Sequence, residues 1–254
     1  MDLSTFMKRY NTTELPVFTA LERGISHRDY YGHAFRWSHV LKIAKIGMKI
    51  LDLGCGHGGL YEMFYRNRYS PARFVGVDLR KQVIESNKLN FPKAEWFACD
   101  LVNLNLDTLV NASWDIITCF ETLEHIGKQN VPSFLDKIKS FCNDQTIVMI
   151  STPCFDPSVG AADNHTYDAG DGRGLCSQEL TYDELKMMLD ERFKAIENFG
   201  TFASQRDYKP LMNDWQVKMF DELSRYYDTN LLANIMAPMF PENSRNVLWK
   251  LKLT

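Results

Sequence analysis

Residues 49 to 67 read KILDLGCGHGGLYEMFYRN: a short apolar run, a cluster of glycines and an amphipathic run follow one another directly. No other stretch limits the fold as much. A β-rich run that stops on Gly54, Gly56, Gly58 and Gly59 and resumes with helical spacing at Leu60 and Tyr61 is a strand that turns straight into a helix. Glycines at such a turn let the backbone take positive φ and approach a ligand closely. The alternation then continues. RFVGVDL (73–79), EWFACDL (95–101), WDIITCF (114–120) and TIVMISTP (146–153) read as further strands beside the first at 49–55, with helical runs such as KQVIESNKLN and VPSFLDKIKSFC between them. Strands separated by helices require a parallel sheet covered on both faces, so the expected class is α/β and doubly wound.

Beyond Pro153 the pattern lapses. CFDPSVGAADNHTYDAGDGRGLCSQE is rich in Gly and Asp and has no period, which suits a lid loop over 154–178. Regularity returns at LTYDELKMMLDERF, where Thr181 is the expected N-cap and Glu184 its capping-box partner. AIENFGTFA is a sixth strand, 211–236 reads as one helical segment, and RNVLWKLKL closes the sheet as an antiparallel strand. The expected organisation is an N-terminal helical cover at 1–46 and one domain at 47–254, with a cap insert at 202–246. A chain of 254 residues, 45% of them hydrophobic, suits one large core.

The formal net charge of −3 provides no global basic field, so nucleic acid is a possible partner but not the preferred one. No run has the length to span a bilayer and the N-terminus lacks the apolar stretch of a signal peptide. The six cysteines are scattered without a CxxC pair and sit in or beside apolar runs, which points to a reducing cytoplasm. The oligomeric state is not legible.

Carboxylates stand at the strand ends. Asp52 precedes the first glycine by two, Asp78 ends the second strand and Asp100 ends the third. A carboxylate about 20 residues beyond a glycine turn can accept bonds from both hydroxyls of a ribose. A dinucleotide site is the rival reading, and Arg80 would then suit a phosphate-preferring enzyme. Against it, Leu60 and Tyr61 stand where the third spaced glycine and small residue of that fingerprint belong. CFETLEH (119–125) poses a separate question. Glu121, Glu124 and His125, at spacings of three and four, would share one helix face and set two like charges a turn apart. A metal ion, an acid–base pair or a solvated helix start would each explain them.

Read together, these motifs resemble the class I S-adenosylmethionine-dependent methyltransferases. ILDLGCGHGG matches the family's first motif, VGVDL its second, ACDL its third and DIITCFETLEHI its fourth, over residues 47 to about 200 with the last strand also in place. The resemblance implies a seven-stranded, mostly parallel sheet with an antiparallel last strand. It implies that the backbone from Gly54 through Cys55 and Gly56 to Gly58 passes the methionine part of the cofactor. Asp78, followed by Leu79, would hold the ribose. Asp100 would reach the adenine amino group with Leu101 beside the ring, and Cys119 and Phe120 would lie near the sulfonium. Asp52 would orient the loop or bind the amino group through water. Tyr30, Tyr31, His33, Arg36 and Trp37 fall where family members place helices that close over the cofactor, and Arg36 would pair with the methionine carboxylate.

ETLEH with STP thirty residues later resembles the ubiquinone-biosynthesis O-methyltransferases and relatives acting on small molecules. The same run resembles the small-RNA 2′-O-methyltransferases. There, Glu121, Glu124, His125 and a loop histidine, here His165, would hold a divalent cation such as Mg²⁺, Mn²⁺ or Zn²⁺ that activates a hydroxyl. The preferred expectation is a metal-free enzyme methylating an oxygen or nitrogen of a small-molecule acceptor, with His125 or the lid His165 as base and Glu121 beside the acceptor. Metal-dependent 2′-O-methylation of RNA or a nucleotide, and a catalytically silent cofactor-binding subunit, are the alternatives. The intact glycine loop favours an active enzyme. Between the last two strands, Arg206, Tyr208, Trp215 and Arg245 lie on the side where acceptors enter.

Overall fold

A computed structural model describes residues 28–102, 113–156, 166–168, 174–176, 178–202 and 208–254. Its first element is α1 (Arg28–Ile43), followed by β1 (Lys49–Leu53), α2 (Gly59–Arg66), β2 (Arg73–Asp78), α3 (Lys81–Asn90) and β3 (Glu95–Ala98). After β4 (Ile116–Phe120) and a 3₁₀ turn at Leu123–His125 come α4 (Val131–Ser140) and β5 (Ile147–Pro153). A short hairpin, β6 (Thr166–Asp168) with β7 (Gly174–Cys176), precedes α5 (Tyr182–Asp190) and β8 (Phe193–Phe202). Helices α6 (Asp214–Leu223) and α7 (Thr229–Met236) lead to β9 (Asn246–Leu253).

The sheet has seven strands in the order β3-β2-β1-β4-β5-β9-β8, and β9 alone runs antiparallel to its neighbours. This is the expected α/β doubly wound arrangement. Its central strand β4 is buried throughout and apolar at every position but Thr118, β1 is buried after Lys49, and β5 is buried except at its ends. On one face Leu51, Val75, Ile117 and Ile150 pack against Phe134 and Ile138 of α4 and Leu185 and Leu189 of α5. On the other, Ile50, Phe74, Ile116 and Met149 meet Val40 of α1, Leu60 and Phe64 of α2 and Ile84 of α3. Burying apolar surface on both faces leaves only the strand ends to carry polar chemistry.

Three expectations need correction. The strands at 49–55, 73–79, 95–101 and 114–120 are shorter, because hydrogen-bond pairing stops before the apolar residues do. The single helix at 211–236 is two helices, because Asp228 starts a new one by accepting from the Leu231 amide at 3.2 Å. The aperiodic loop at 154–178 contains the β6–β7 hairpin. Thr181 does cap α5, accepting from Glu184 N while the Glu184 side chain accepts from Thr181 N.

The additions to the sheet gather at the carboxyl ends of the strands, where open α/β sheets bind ligands. A Cβ on Gly59 would lie 2.5 Å from the Trp37 ring, so α1 lies directly on the glycine turn. A Cβ on Gly200, near the end of β8, would lie 1.9 Å from Ser244 Oγ and 2.3 Å from the Ala237 carbonyl, which brings the segment before β9 onto that edge.

Candidate active site

The turn after β1 is built by backbone geometry. Gly54, Gly56 and Gly58 have φ of 78°, 50° and 73°, which side chains disfavour. The Gly54 and Cys55 amides both donate to the Val77 carbonyl, at 2.8 and 2.9 Å, which turns the chain over the end of β2. Asp78 completes the clamp. Its Oδ2 accepts from Gly56 N at 2.9 Å and its Oδ1 from Arg80 N at 3.0 Å, while the Arg80 guanidinium forks onto both oxygens. From α3, the buried Asn87 donates to the Gly56 carbonyl at 2.7 Å. Nothing in the local pattern singles out Asn87, whose role depends on the helix folding back over the turn.

Asp52 sits on β1 directly opposite Thr118 of β4, and its Oδ1 accepts the Thr118 hydroxyl at 2.7 Å. Its side chain is therefore bonded across the sheet rather than to the glycine turn. Burial raises its carboxyl to about 7; the bond from Thr118 opposes the rise and the Asp78 charge adds to it. Cys55 is buried, and Cys119 is sealed inside the sheet with its thiol pushed up by burial. Phe120 and Leu101 are buried, Leu79 is half-buried, and Asp100 accepts from Val102 N at 2.9 Å.

CFETLEH does not form the expected helix face. β4 ends at Phe120, and Glu121 takes a left-handed conformation, φ 51°, which costs a non-glycine residue about 1–2 kcal/mol. The turn then runs on as 3₁₀, so the two glutamates diverge. Glu121 Oε1 accepts from Ser151 Oγ at 2.8 Å, and Oε2 from Asn246 Nδ2 at 2.5 Å. The Arg36 guanidinium stands 3.4 Å from Oε1. Glu124 is buried against Thr152, whose hydroxyl donates to it at 2.9 Å. Burial, then the Glu121 charge, push the Glu124 carboxyl well above the usual carboxylate range. The like charges are thus relieved by the guanidinium beside Glu121, while burial favours the uncharged form of Glu124. His125 has a side chain 23% exposed, with Nε2 3.6 Å from Glu124 Oε1.

Arg36 is the least expected feature. Its residue is 1% exposed, its Nη2 meets His33 Nδ1 at 3.1 Å, and its Nε and Nη1 have no hydrogen-bond acceptor among the described residues. Its positive charge is matched by Glu121, and Nε and Nη1 remain able to donate to a further anion.

The remaining candidates separate. Trp215 is 67% exposed, Tyr208 is buried in a stack on Phe240, and Arg245 pairs with Glu179. His39 packs against Phe35 and Phe199, and burial lowers it to about 4, which suits packing. His165, Arg206 and the side chain of Tyr30 lie outside the described residues. No helix among the described residues is long and apolar enough to cross a membrane.

A Rossmann-like sheet with this strand order, a glycine turn after β1 and an acid ending β2 defines the class I S-adenosylmethionine-dependent methyltransferase fold. The family profile described as "Methyltransferase domain" matches residues 27–237, and the chain belongs to that family. A ubiquinone biosynthesis O-methyltransferase from Nitrobacter winogradskyi is 33% identical over 109 residues, 42% of this chain and 39% of that protein. Phosphoethanolamine N-methyltransferase 1 from Zea mays is 25% identical over 202 residues, 69% of this chain and 38% of that protein. The chain thus covers about two fifths of the length of these two curated relatives. The solved 1,6-didemethyltoxoflavin-N1-methyltransferase of Burkholderia thailandensis, with 1,6-didemethyltoxoflavin and S-adenosylhomocysteine bound, superposes with a TM-score of 0.53. It is 16% identical, and the match covers 99% of this chain and 86% of that one, a likeness of fold.

Proposed function

We propose that the protein transfers a methyl group from S-adenosylmethionine to an oxygen or nitrogen of a small-molecule acceptor. The observation that carries this reading is the Asp78 clamp, a carboxylate at the end of β2 tied to the Gly56 amide of a turn with three positive-φ glycines. The described residues suit the cofactor. Asp78 would receive the ribose hydroxyls once the Arg80 guanidinium, whose side chain is 34% exposed, swings aside. Asp100 and Leu101 would serve the adenine, and the unused donors of Arg36 would serve the methionine carboxylate.

When bound, the cofactor supplies an electrophilic methyl on a sulfonium, so the protein must align a nucleophile and take its proton where needed. His125 is placed to take that proton. Its imidazole lies beside Glu124, with Nε2 3.6 Å from Oε1. Glu121, with a side chain 23% exposed, would accept a hydrogen bond from the acceptor and orient it. The relatives named above methylate oxygen and nitrogen respectively by their names, which supports the acceptor class and leaves the choice of atom to experiment.

We favour a metal-free site; His165, the fourth donor a cation would draw on, lies outside the described residues. Arg36 already sets a positive charge 3.4 Å from Glu121, which a cation would otherwise provide. Without a cation, His125 would act as a direct base.

The test is methyl transfer from labelled cofactor to a panel of hydroxylated and amine-bearing metabolites, with short RNAs alongside. Label is expected in a small molecule and not in RNA. His125→Ala should lower turnover by about 100-fold or more, the usual scale of a general base, with cofactor affinity nearly unchanged. A chelator should leave the wild type active. Activity lost to chelator and restored by Mn²⁺ or Mg²⁺ would overturn the metal-free reading.

A further inference from the structure

Four neighbouring strands each bring one polar side chain to the same edge of the sheet, and the four join in a row. Glu121 follows β4, Ser151 lies in β5, Asn246 opens β9 and Thr201 lies in β8. Ser151, Asn246 and Thr201 are 0% exposed. The Thr201 hydroxyl donates to Asn246 Oδ1 at 2.9 Å, and Asn246 Nδ2 donates to Glu121 Oε2 at 2.5 Å. Ser151 Oγ closes on the other Glu121 oxygen at 2.8 Å.

A buried amide needs a partner at both its ends. Its oxygen end is satisfied by Thr201, which leaves its nitrogen to face the carboxylate. Flipping the amide would set oxygen against oxygen, so the row is self-consistent only with a hydrogen-bond acceptor at Glu121. Meanwhile the Glu121 backbone is held at φ 51°, a strained conformation that persists where the surroundings over-determine it. Two buried donors and a guanidinium converging on one carboxylate provide that determination.

Resting on the function proposed above, we propose that Asn246, oriented by Thr201, is a positioning residue that fixes the Glu121 carboxylate toward the methyl acceptor. It touches neither cofactor nor acceptor and acts through Glu121. The interaction is charge-assisted, and its loss frees the carboxylate to turn toward Arg36.

Asn246→Asp is nearly isosteric and keeps the acceptor for Thr201, but it replaces the donor to Glu121 by a second carboxylate. At alkaline pH it is expected to lower kcat about tenfold or more, the equivalent of one hydrogen bond to a charged group. The deficit should shrink as pH falls, because a proton on the introduced carboxyl restores a donor to Glu121. The other ionisable groups acting on this corner are Arg36 from α1, Glu124 from the turn, and the thiols of Cys119 in β4 and Cys154 after β5. All are unchanged in the variant. Thr201→Val should show a smaller loss in kcat with no recovery at low pH, and both variants should keep cofactor affinity.

A crystal structure of Asn246→Asp at alkaline pH reads the positioning claim without turnover. The Glu121 carboxylate is expected to leave its place between Ser151 and position 246. A carboxylate in its wild-type place, or a kcat deficit independent of pH, would overturn the proposal. Absence of methyl transfer by the wild type would instead refute the functional reading, and the crystal structure would still decide the placement of Glu121.

Discussion

Asp78→Ala should weaken S-adenosylmethionine binding by roughly 30- to 1000-fold, about 2–4 kcal/mol. Two losses add. The carboxylate is the proposed acceptor for the ribose hydroxyls, and hydrogen bonds to charged groups are the stronger kind. It also accepts from the Gly56 amide at 2.9 Å, so its removal leaves the glycine turn without one of its restraints. Asp78→Asn separates the two contributions. It retains an oxygen for Gly56 N but presents an amide nitrogen to the ribose or to Arg80, and should fall between the wild type and the alanine variant. Titration calorimetry measures all three, and unchanged affinity in Asp78→Ala would place the cofactor elsewhere.

The contribution of Asp52 to apoprotein stability should decline as pH rises from about 4 to about 7, and Asp52→Asn should remove it. The Asp52 carboxyl titrates at about 7 in the folded protein and near 3.8 when free. Between those values the folded protein holds a proton that the unfolded chain has released, so each step up in pH favours unfolding. The stabilisation is complete below the lower value and is lost as pH passes through the upper one. Asparagine cannot ionise and can still accept from Thr118, so the variant should gain on the wild type by up to roughly 4 kcal/mol across the window. Glu124, raised by burial and by the Glu121 charge, contributes in the same direction, and His39, lowered by burial to about 4, in the opposite one, so the difference between variant and wild type isolates Asp52. Thermal melts of both proteins between about pH 5 and pH 8 provide the comparison. Parallel profiles would show that Asp52 is already ionised in the folded state.

The fold was legible because burial on both faces of a parallel sheet leaves its mark in consecutive apolar residues. That mark reports burial, not pairing, which is why strands read from it run too long. Cys55 and Leu101 are buried although neither lies in a strand. The turn at Gly54 was legible for a different reason. A Cβ there would sit 2.0 Å from Thr122 Oγ1, so the backbone tolerates only glycine. The break between α6 and α7 carries a local signal in Asp228, which a reading by hydrophobic period passes over. The hairpin β6–β7 has strands too short for any period to show.

The candidate site was legible by composition and not by geometry. Glu121, Glu124 and His125 were found together, but their spacing suggested a shared helix face. Left-handed backbone at Glu121 is visible only in three dimensions, because it depends on partners 30 and 125 positions away. Asn87, Thr201 and Asn246 are ordinary polar residues in their own segments. Each acquires a role only when sheet order or a returning helix brings it against the site. Arg36 was recognised from its place before the first strand, whereas its burial against Glu121 follows from how α1 lies over the carboxyl edge.

The central claim, that the Gly54–Gly58 turn with Asp78 and Asp100 holds S-adenosylmethionine, is tested most directly by titration calorimetry of the wild-type protein with that cofactor and, separately, with NAD. The account predicts saturable binding of S-adenosylmethionine at one site per chain and no measurable heat with NAD. Tight binding of NAD, with none of S-adenosylmethionine, would contradict it.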